Sequence, residues 1–244
     1  MPSFWRHVKK VLDLSDIIIE VLDARMIQET RNSEIENKIR KLNKKILYVI
    51  TKCDLVNINK LKENSKHLTP CIFISSKDHL GTTILKKKIL SLSKGEAVTV
   101  GVVGYPNVGK SSLINVLAGR GAARTSSESG YTKGLQKIRV DKRILLLDTP
   151  GVFPHKEKDI GKHGKIGAVD YAKIKDPEIA VLHLIEEEKE LITSYYKVIG
   201  SDNEEILENI AFSLKKLQKG NKPDLEVTAR AILRDWQTGK IKEK

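Results

Sequence analysis

The chain has 244 residues, with 44 Lys+Arg against 31 Asp+Glu and a formal net charge of +13. Its hydrophobic share of 40% is too high for a disordered polyelectrolyte, and the length suffices for one sizeable core plus a smaller one. Two cysteines, Cys53 and Cys71, make no disulfide framework and too few ligands for a Cys-based zinc site, and the apolar runs Ile17–Ile19 and Ile144–Leu147 fall far short of the ~20 residues that cross a bilayer. No signal-peptide core opens the chain, so the expectation is a soluble, cytoplasmic monomer without a membrane partner. A pI near 9.5 calls for an anionic partner, with nucleic acid the first candidate and an acidic membrane surface the second.

In chain order, Phe4, Val8, Val11 and Leu12 recur at the spacing of one helical face and predict an opening helix. Short β-branched runs at Ile17–Leu22, Ile46–Ile50, Cys71–Ile74, Val98–Val103, Ile138–Val140 and Ile144–Leu147 then alternate with helix-length stretches at Ser33–Leu42, Ile58–His67, Thr82–Leu92 and Lys110–Leu117. That alternation predicts a parallel α/β sheet with crossover helices. Residues 155–175 carry Gly, Lys and His without periodicity and read as a mobile connection. Beyond Pro177 the period is purely helical, with Ile206, Ile210, Leu214 and Leu217 on one stripe and Leu225, Ala229, Ile232 and Trp236 on another. Asp202 or Ser201 is suited to cap one of these helices and Asp224 to open the last. The expected division is a basic domain over residues 1–175, which holds 33 basic and 17 acidic side chains, and a small all-α domain over 176–244, with 11 and 14.

The most specific pattern is Gly104-Tyr105-Pro106-Asn107-Val108-Gly109-Lys110-Ser111, a G-x-x-x-x-G-K-[ST] loop between a predicted strand and a predicted helix. Its glycines let the backbone wrap a polyphosphate with N–H groups pointing inward, and the helix start directs its positive dipole end at the same charge. Lys110 is expected to bridge the β- and γ-phosphates, Ser111 to hold Mg²⁺ and Ser112 to reach the α-phosphate. Asp148-Thr149-Pro150-Gly151 follows a strand 38 residues after Lys110. There Asp148 suits Mg²⁺ through a water and the Gly151 amide the γ-phosphate, although alone the tetrapeptide is also an ordinary turn. Thr132, in the polar Ser126–Gly134 stretch, is the candidate to coordinate Mg²⁺ and sense the γ-phosphate.

The base is decided before this loop. Thr51-Lys52-Cys53-Asp54 and Ser75-Ser76-Lys77 each follow a predicted strand. The Asp54 carboxylate can accept from N1–H and the 2-amino group of guanine, donors that adenine lacks. The Lys52 stem can cover the base, and the backbone amide around Ser76 can donate to O6. Both turns lie on the strand edge where open α/β sheets bind ligands.

These motifs, with Val21-Leu22-Asp23-Ala24-Arg25, Gly104–Asn115, Gly130–Gly134 and the terminal stretch Ile232–Lys240, resemble the circularly permuted GTPases of the YlqF/RbgA type. In that family the guanine motifs precede the P-loop and the magnesium and switch motifs follow it. The resemblance implies a P-loop NTPase fold and a ribosome-assembly factor. Such a factor binds GTP/GDP and ribosomal RNA in a pre-ribosomal particle, mostly of the large subunit, and hydrolyses GTP there. Thr51 stands where the commonest guanine motif has Asn, and of the family's Trp-Phe-Pro-Gly-His-Met opening only Trp5 and a displaced His7 are present.

The residue after Gly151 is Val152, where Ras-like proteins carry the Gln that orients water, so slow intrinsic turnover is expected. The resemblance implies that ribosomal RNA completes the site and that K⁺ held by Asn107 supplies the missing charge; Asn107 also reads as a simple turn former. His7, His155 and His163 remain as water-orienting candidates beside the reading of surface histidines. If the C-terminal region meets RNA, Arg230, Arg234, Lys240 and Lys242 are its expected patch. The contrasting reading is an RNA-binding scaffold on a vestigial, non-hydrolysing nucleotide fold, and a weaker one is an ATP-dependent enzyme, which Asp54 disfavours.

Overall fold

A mostly apolar strand in a parallel sheet needs cover on both faces, and β1 (Ile17–Asp23) obtains it, with all seven residues buried, the carboxylates Glu20 and Asp23 included. It follows α1 (Ser3–Leu14), whose Val8, Val11 and Leu12 are buried as the periodicity predicts. The computed structural model describes residues 3–119, 136–149 and 171–243. The chain divides into two units, Met1–Glu157 and Lys158–Lys244.

In the first unit, α2 (Ile27–Thr30) and α3 (Ser33–Lys41) lead to β2 (Lys45–Thr51), and α4 (Ile58–Asn64) to β3 (Cys71–Phe73). Then α5 (Thr82–Leu92) precedes β4 (Val98–Gly104), and α6 (Lys110–Ala118) precedes β5 (Gln136–Arg139) and β6 (Ile144–Asp148). The strands form one sheet in the order β3-β2-β1-β4-β6-β5, parallel except where β5 pairs antiparallel with β6. Strand order reverses between β1 and β4, and at such a switch point the carboxyl ends of the strands leave a crevice for ligand. Register fixes what faces that crevice: Asp23 lies beside Thr51, Val21 beside Gly104, and Asp148 beside Val102. The expected α/β P-loop arrangement is therefore present. Side-chain caps set the starts of α3 and α4, where Asn32 accepts from the Ile35 amide and Asn57 from the amides of Asn59 and Lys60.

The second unit contains helices Pro177–Glu187, Lys189–Tyr196, Asn203–Ser213 and Leu225–Gln237. Asp202 caps the third by accepting from Glu205 N, and Asp224 the fourth by accepting from Val227 N. Ala229, Ile232 and Trp236 are buried as one stripe, and Ile206 and Ile210 as the other. The expected extension of that second stripe to Leu214 and Leu217 fails, for both are 37% exposed. Lys215 takes a left-handed φ of 54°, and Lys216 N bonds Ala211 O at 2.9 Å, closing the helix at Ser213 in a Schellman turn. The chain then makes a short ladder of Leu217–Gln218 with Lys222–Pro223, so this mainly helical unit contains a hairpin that the helical reading omitted. Of the expected mobile connection, residues 155–170 lie outside the described residues; beyond them Tyr171–Lys173 form a 3₁₀ turn and Ile174 is buried.

Candidate functional site

The Gly104–Ser111 loop joins the end of β4 to the start of α6, as its sequence context requires. Two positions need glycine. Gly104 has φ +150° and a Cβ there would lie 2.5 Å from Val21 O, while Gly109, with φ +95°, precedes the first turn of α6. Asn107 also takes a positive φ of 59°. Lys110 is buried, and its Nζ donates to the carbonyls of Gly104, at 3.1 Å, and Tyr105. Burial pulls its ammonium down to a pKa of about 8, against the opposing charge of Asp148. Ser111 and Ser112 lie in the first turn of α6, both partly exposed.

The two base-reading turns meet this loop at the carboxyl edge. Thr51, buried at the end of β2, is within hydrogen-bond reach of Leu22 O, at 3.0 Å, and of Val108 O in the loop. Its single hydroxyl proton serves one of them at a time. Lys52 Nζ donates to Asn107 O at 3.0 Å. Thr51 and Lys52 thus bring the base-reading turn into contact with two successive carbonyls of the phosphate loop. Cys53 N donates to Ile74 O at 3.3 Å and ties this turn to the next one. Asp54 is half-buried in the 3₁₀ turn Cys53–Leu55. Ser75 is buried, with its hydroxyl bonded to Asp78 Oδ2 at 3.0 Å, and Lys77 is exposed. The Ser76 hydroxyl oxygen is buried with no hydrogen-bond partner among the described residues.

Asp148 is buried at the end of β6, and Thr149 Oγ1 donates to Val102 O at 2.9 Å, holding that strand end beside β4. The Ser111 hydroxyl and the Asp148 carboxylate are hard oxygen donors, a set that fits Mg²⁺ completed by phosphate oxygens and water. Thr132, Gly151, Val152, His155 and His163 lie outside the described residues. His7 is partly exposed on α1.

Sequence reasoning overlooked the work done by Asp23. Its buried carboxylate accepts from Arg25 Nε at 3.0 Å and Nη2 at 2.8 Å, from the Arg25 amide at 3.1 Å, and from Lys52 Nζ at 2.7 Å. Burial alone would raise its pKa, but the charges and bonds of Arg25 and Lys52 overcome this and hold the carboxyl well below the usual range. Burial likewise pulls the Lys52 ammonium down, with Asp23 opposing. The available signal was an acid and an arginine two residues apart at a strand end, on the edge that already held the other motifs.

The expected cationic patch of the second unit is largely engaged within it. Arg230 bonds Glu226 at 2.8 Å and the carbonyls of Tyr171 and Ala172, and Lys240 bonds Asp235 at 2.9 Å. Arg234 lies 3.5 Å from Asp235, while Lys242 is exposed.

Comparison with known proteins agrees with this geometry. The 50S ribosome-binding GTPase family matches residues 99–220. An uncharacterized GTP-binding protein of Methanocaldococcus jannaschii is 39% identical over 96% of this chain and 65% of its own length. Nuclear/nucleolar GTPase 2 of Oryza sativa is 34% identical over 97% of this chain and 47% of its own length. The chain thus spans about half to two thirds of these relatives. GDP-bound YlqF matches with a TM-score of 0.70 at 23% identity, covering 97% of this chain and 96% of that one. GNP-bound YlqF from T. maritima matches with a TM-score of 0.69 at 23% identity, covering 98% and 94%. At that identity the likeness is one of fold.

Proposed function

Because this chain belongs to the 50S ribosome-binding GTPase family, we propose that it is a GTP-hydrolysing switch in ribosome assembly, acting on a large-subunit precursor. The observation that carries this reading is the contact between base-reading turn and phosphate loop: the Thr51 hydroxyl lies within hydrogen-bond reach of Val108 O, and Lys52 donates to Asn107 O. With two successive carbonyls held from behind, the loop amides are left to face a phosphate chain. Asp54 reads the guanine N1–H and 2-amino edge, the turn Ser75–Lys77 supplies a donor to O6, and the Lys52 stem covers the base. The unpartnered Ser76 hydroxyl supports a polar ligand at that turn. The relatives are described by name as GTP-binding proteins or GTPases, one of them nuclear or nucleolar.

The Lys110 ammonium exchanges its loop carbonyls for β- and γ-phosphate oxygens, and Ser112 reaches the α-phosphate. Ser111, Asp148 and Thr132 would hold Mg²⁺, which would supply positive charge to neutralise that of the phosphates. The Gly151 amide meets the γ-phosphate, and with Val152 behind it the protein lacks the usual water-orienting Gln. Intrinsic turnover is therefore slow; the ribosomal particle stimulates it, and a K⁺ held by Asn107 would add charge. The chain acts as a cytoplasmic monomer whose basic first unit meets ribosomal RNA, and RNA binding weakens steeply with salt.

Two measurements test the reading. Phosphate release from GTP should be slow for the protein alone and faster when large-subunit precursor particles are added. Co-sedimentation with those particles should be stronger with a non-hydrolysable GTP analogue than with GDP. Equal sedimentation in both states removes the switch, and RNA binding with no GTP turnover under any condition favours the scaffold instead.

A further inference from the structure

Lys52 belongs to the base-reading turn, yet its ammonium is shared between two anchors outside that turn: Asn107 O of the phosphate loop at 3.0 Å and Asp23 Oδ2 of β1 at 2.7 Å. The Asp23 carboxylate is in turn held by three donors of Arg25, two from the guanidinium and one from the backbone amide. Asp23 and the Arg25 side chain are 2% and 5% exposed, so the clasp is shielded from solvent and has little rotational freedom. Sheet register puts the same Asp23 directly beside Thr51, the residue preceding Lys52.

We infer that Asp23, locked by Arg25, is a positioning residue for guanine-nucleotide binding: it holds the Lys52 ammonium where it bridges the base-reading turn to the phosphate loop. Three things follow from the geometry. The Asp23 carboxylate bonds Arg25 and Lys52, and of these Lys52 reaches the phosphate loop, so Asp23 acts through Lys52. It is an anion close to a site for a polyanion, and Arg25 balances that charge. Lys52 takes a left-handed φ of 59° at the start of the turn Cys53–Leu55, so a fixed side chain also helps define where Asp54 is placed.

This inference rests on the nucleotide site proposed above and deepens it. The test is a double-mutant cycle on the full chain, with GDP affinity measured by titration calorimetry in Mg²⁺. Asp23→Asn and Lys52→Met, the latter keeping the aliphatic stem, should each weaken GDP binding about tenfold. If Asp23 acts through Lys52, the double variant is no weaker than the more affected single variant. Losses that multiply in the double variant, or an Asp23→Asn protein that binds GDP as the wild type does, overturn the inference. Should Asp23→Asn fail to fold, Arg25→Lys supplies the same cycle, since it keeps a cation beside Asp23 and loosens the two-point clasp. It should then weaken GDP binding with Lys52 present and have no further effect in the Lys52→Met protein. A residue serving structure alone would lower GDP affinity equally in both backgrounds. The wild-type titration separates the two readings: no GDP binding removes the nucleotide site itself, whereas normal binding indifferent to Asp23 and Arg25 removes this inference only.

Discussion

Two buried carboxylates sit three residues apart on β1, and their surroundings drive them in opposite directions. Asp23, at the carboxyl end of the strand, is ringed by Arg25 and Lys52 and stays ionised. Glu20, in mid-strand, accepts from Asn32 N at 2.8 Å and has Glu36 as a neighbour. Burial, opposed by the Asn32 bond and reinforced by the Glu36 charge, pushes Glu20 up to about 8. Glu36 takes the cations of that region for itself, through Arg31 at 2.8 Å and Arg40 at 3.0 Å. The lesson is local to β1: its carboxyl end, where three motifs converge, holds an ionised acid, and its interior favours a protonated one.

The largest effect should come from breaking the ionised end. Asp23→Ala takes from the buried Arg25 and from Lys52 the carboxylate they share and should lower unfolding free energy by about 3–5 kcal/mol in chemical denaturation, because removing one partner of a buried ion pair is costly. Next, Lys110→Ala should weaken GTP binding about 100-fold by calorimetry, since it removes charge-assisted bonds to the phosphates without touching Asp23.

A pH series sharpens the same edge. With Lys110 at about 8 in the free protein, bound phosphate favours its protonated form and raises that value. Affinity for GTP should therefore be flat below pH 7 and fall roughly tenfold by pH 9. Affinity rising with pH would contradict the assignment.

The smallest effect belongs to the strand interior. The folded protein retains on Glu20 a proton that the unfolded chain loses above its ordinary 4.5, so this contribution is complete below pH 4.5 and lost as pH rises through 8. Glu20→Gln keeps an acceptor for Asn32 N and cannot ionise. It should match the wild-type melting temperature near pH 4 and exceed it at pH 8 by about 2–4 °C.

Much of this arrangement was legible in the sequence, for identifiable reasons. The strands were legible because parallel-sheet burial leaves unbroken β-branched runs, and α5 ran from Thr82 to Leu92 as its composition indicated. The phosphate loop was legible because glycine at 104 and 109 reflects a backbone requirement. The end of helix Asn203–Ser213 was hidden because a lysine, Lys215, occupies the left-handed position where glycine would have announced the stop. The ion pairing of the second unit's cations was hidden because their partners, Glu226 and Asp235, share their helix face or last turn, which a net-charge count does not reveal. Asp23 lies within the legible stretch Val21–Arg25, but its bond to Lys52 spans 29 residues and depends on strand register.

The most direct test of the central claim is to titrate the full chain with GDP and with ADP, side by side, in wild type and Asp54→Asn. The account predicts that wild type binds GDP at least ~10³-fold more tightly than ADP, because adenine offers the Asp54 carboxylate neither an N1–H nor a 2-amino donor, and that Asp54→Asn abolishes the preference. Equal binding of the two nucleotides, or a preference for GDP that survives Asp54→Asn, would contradict it.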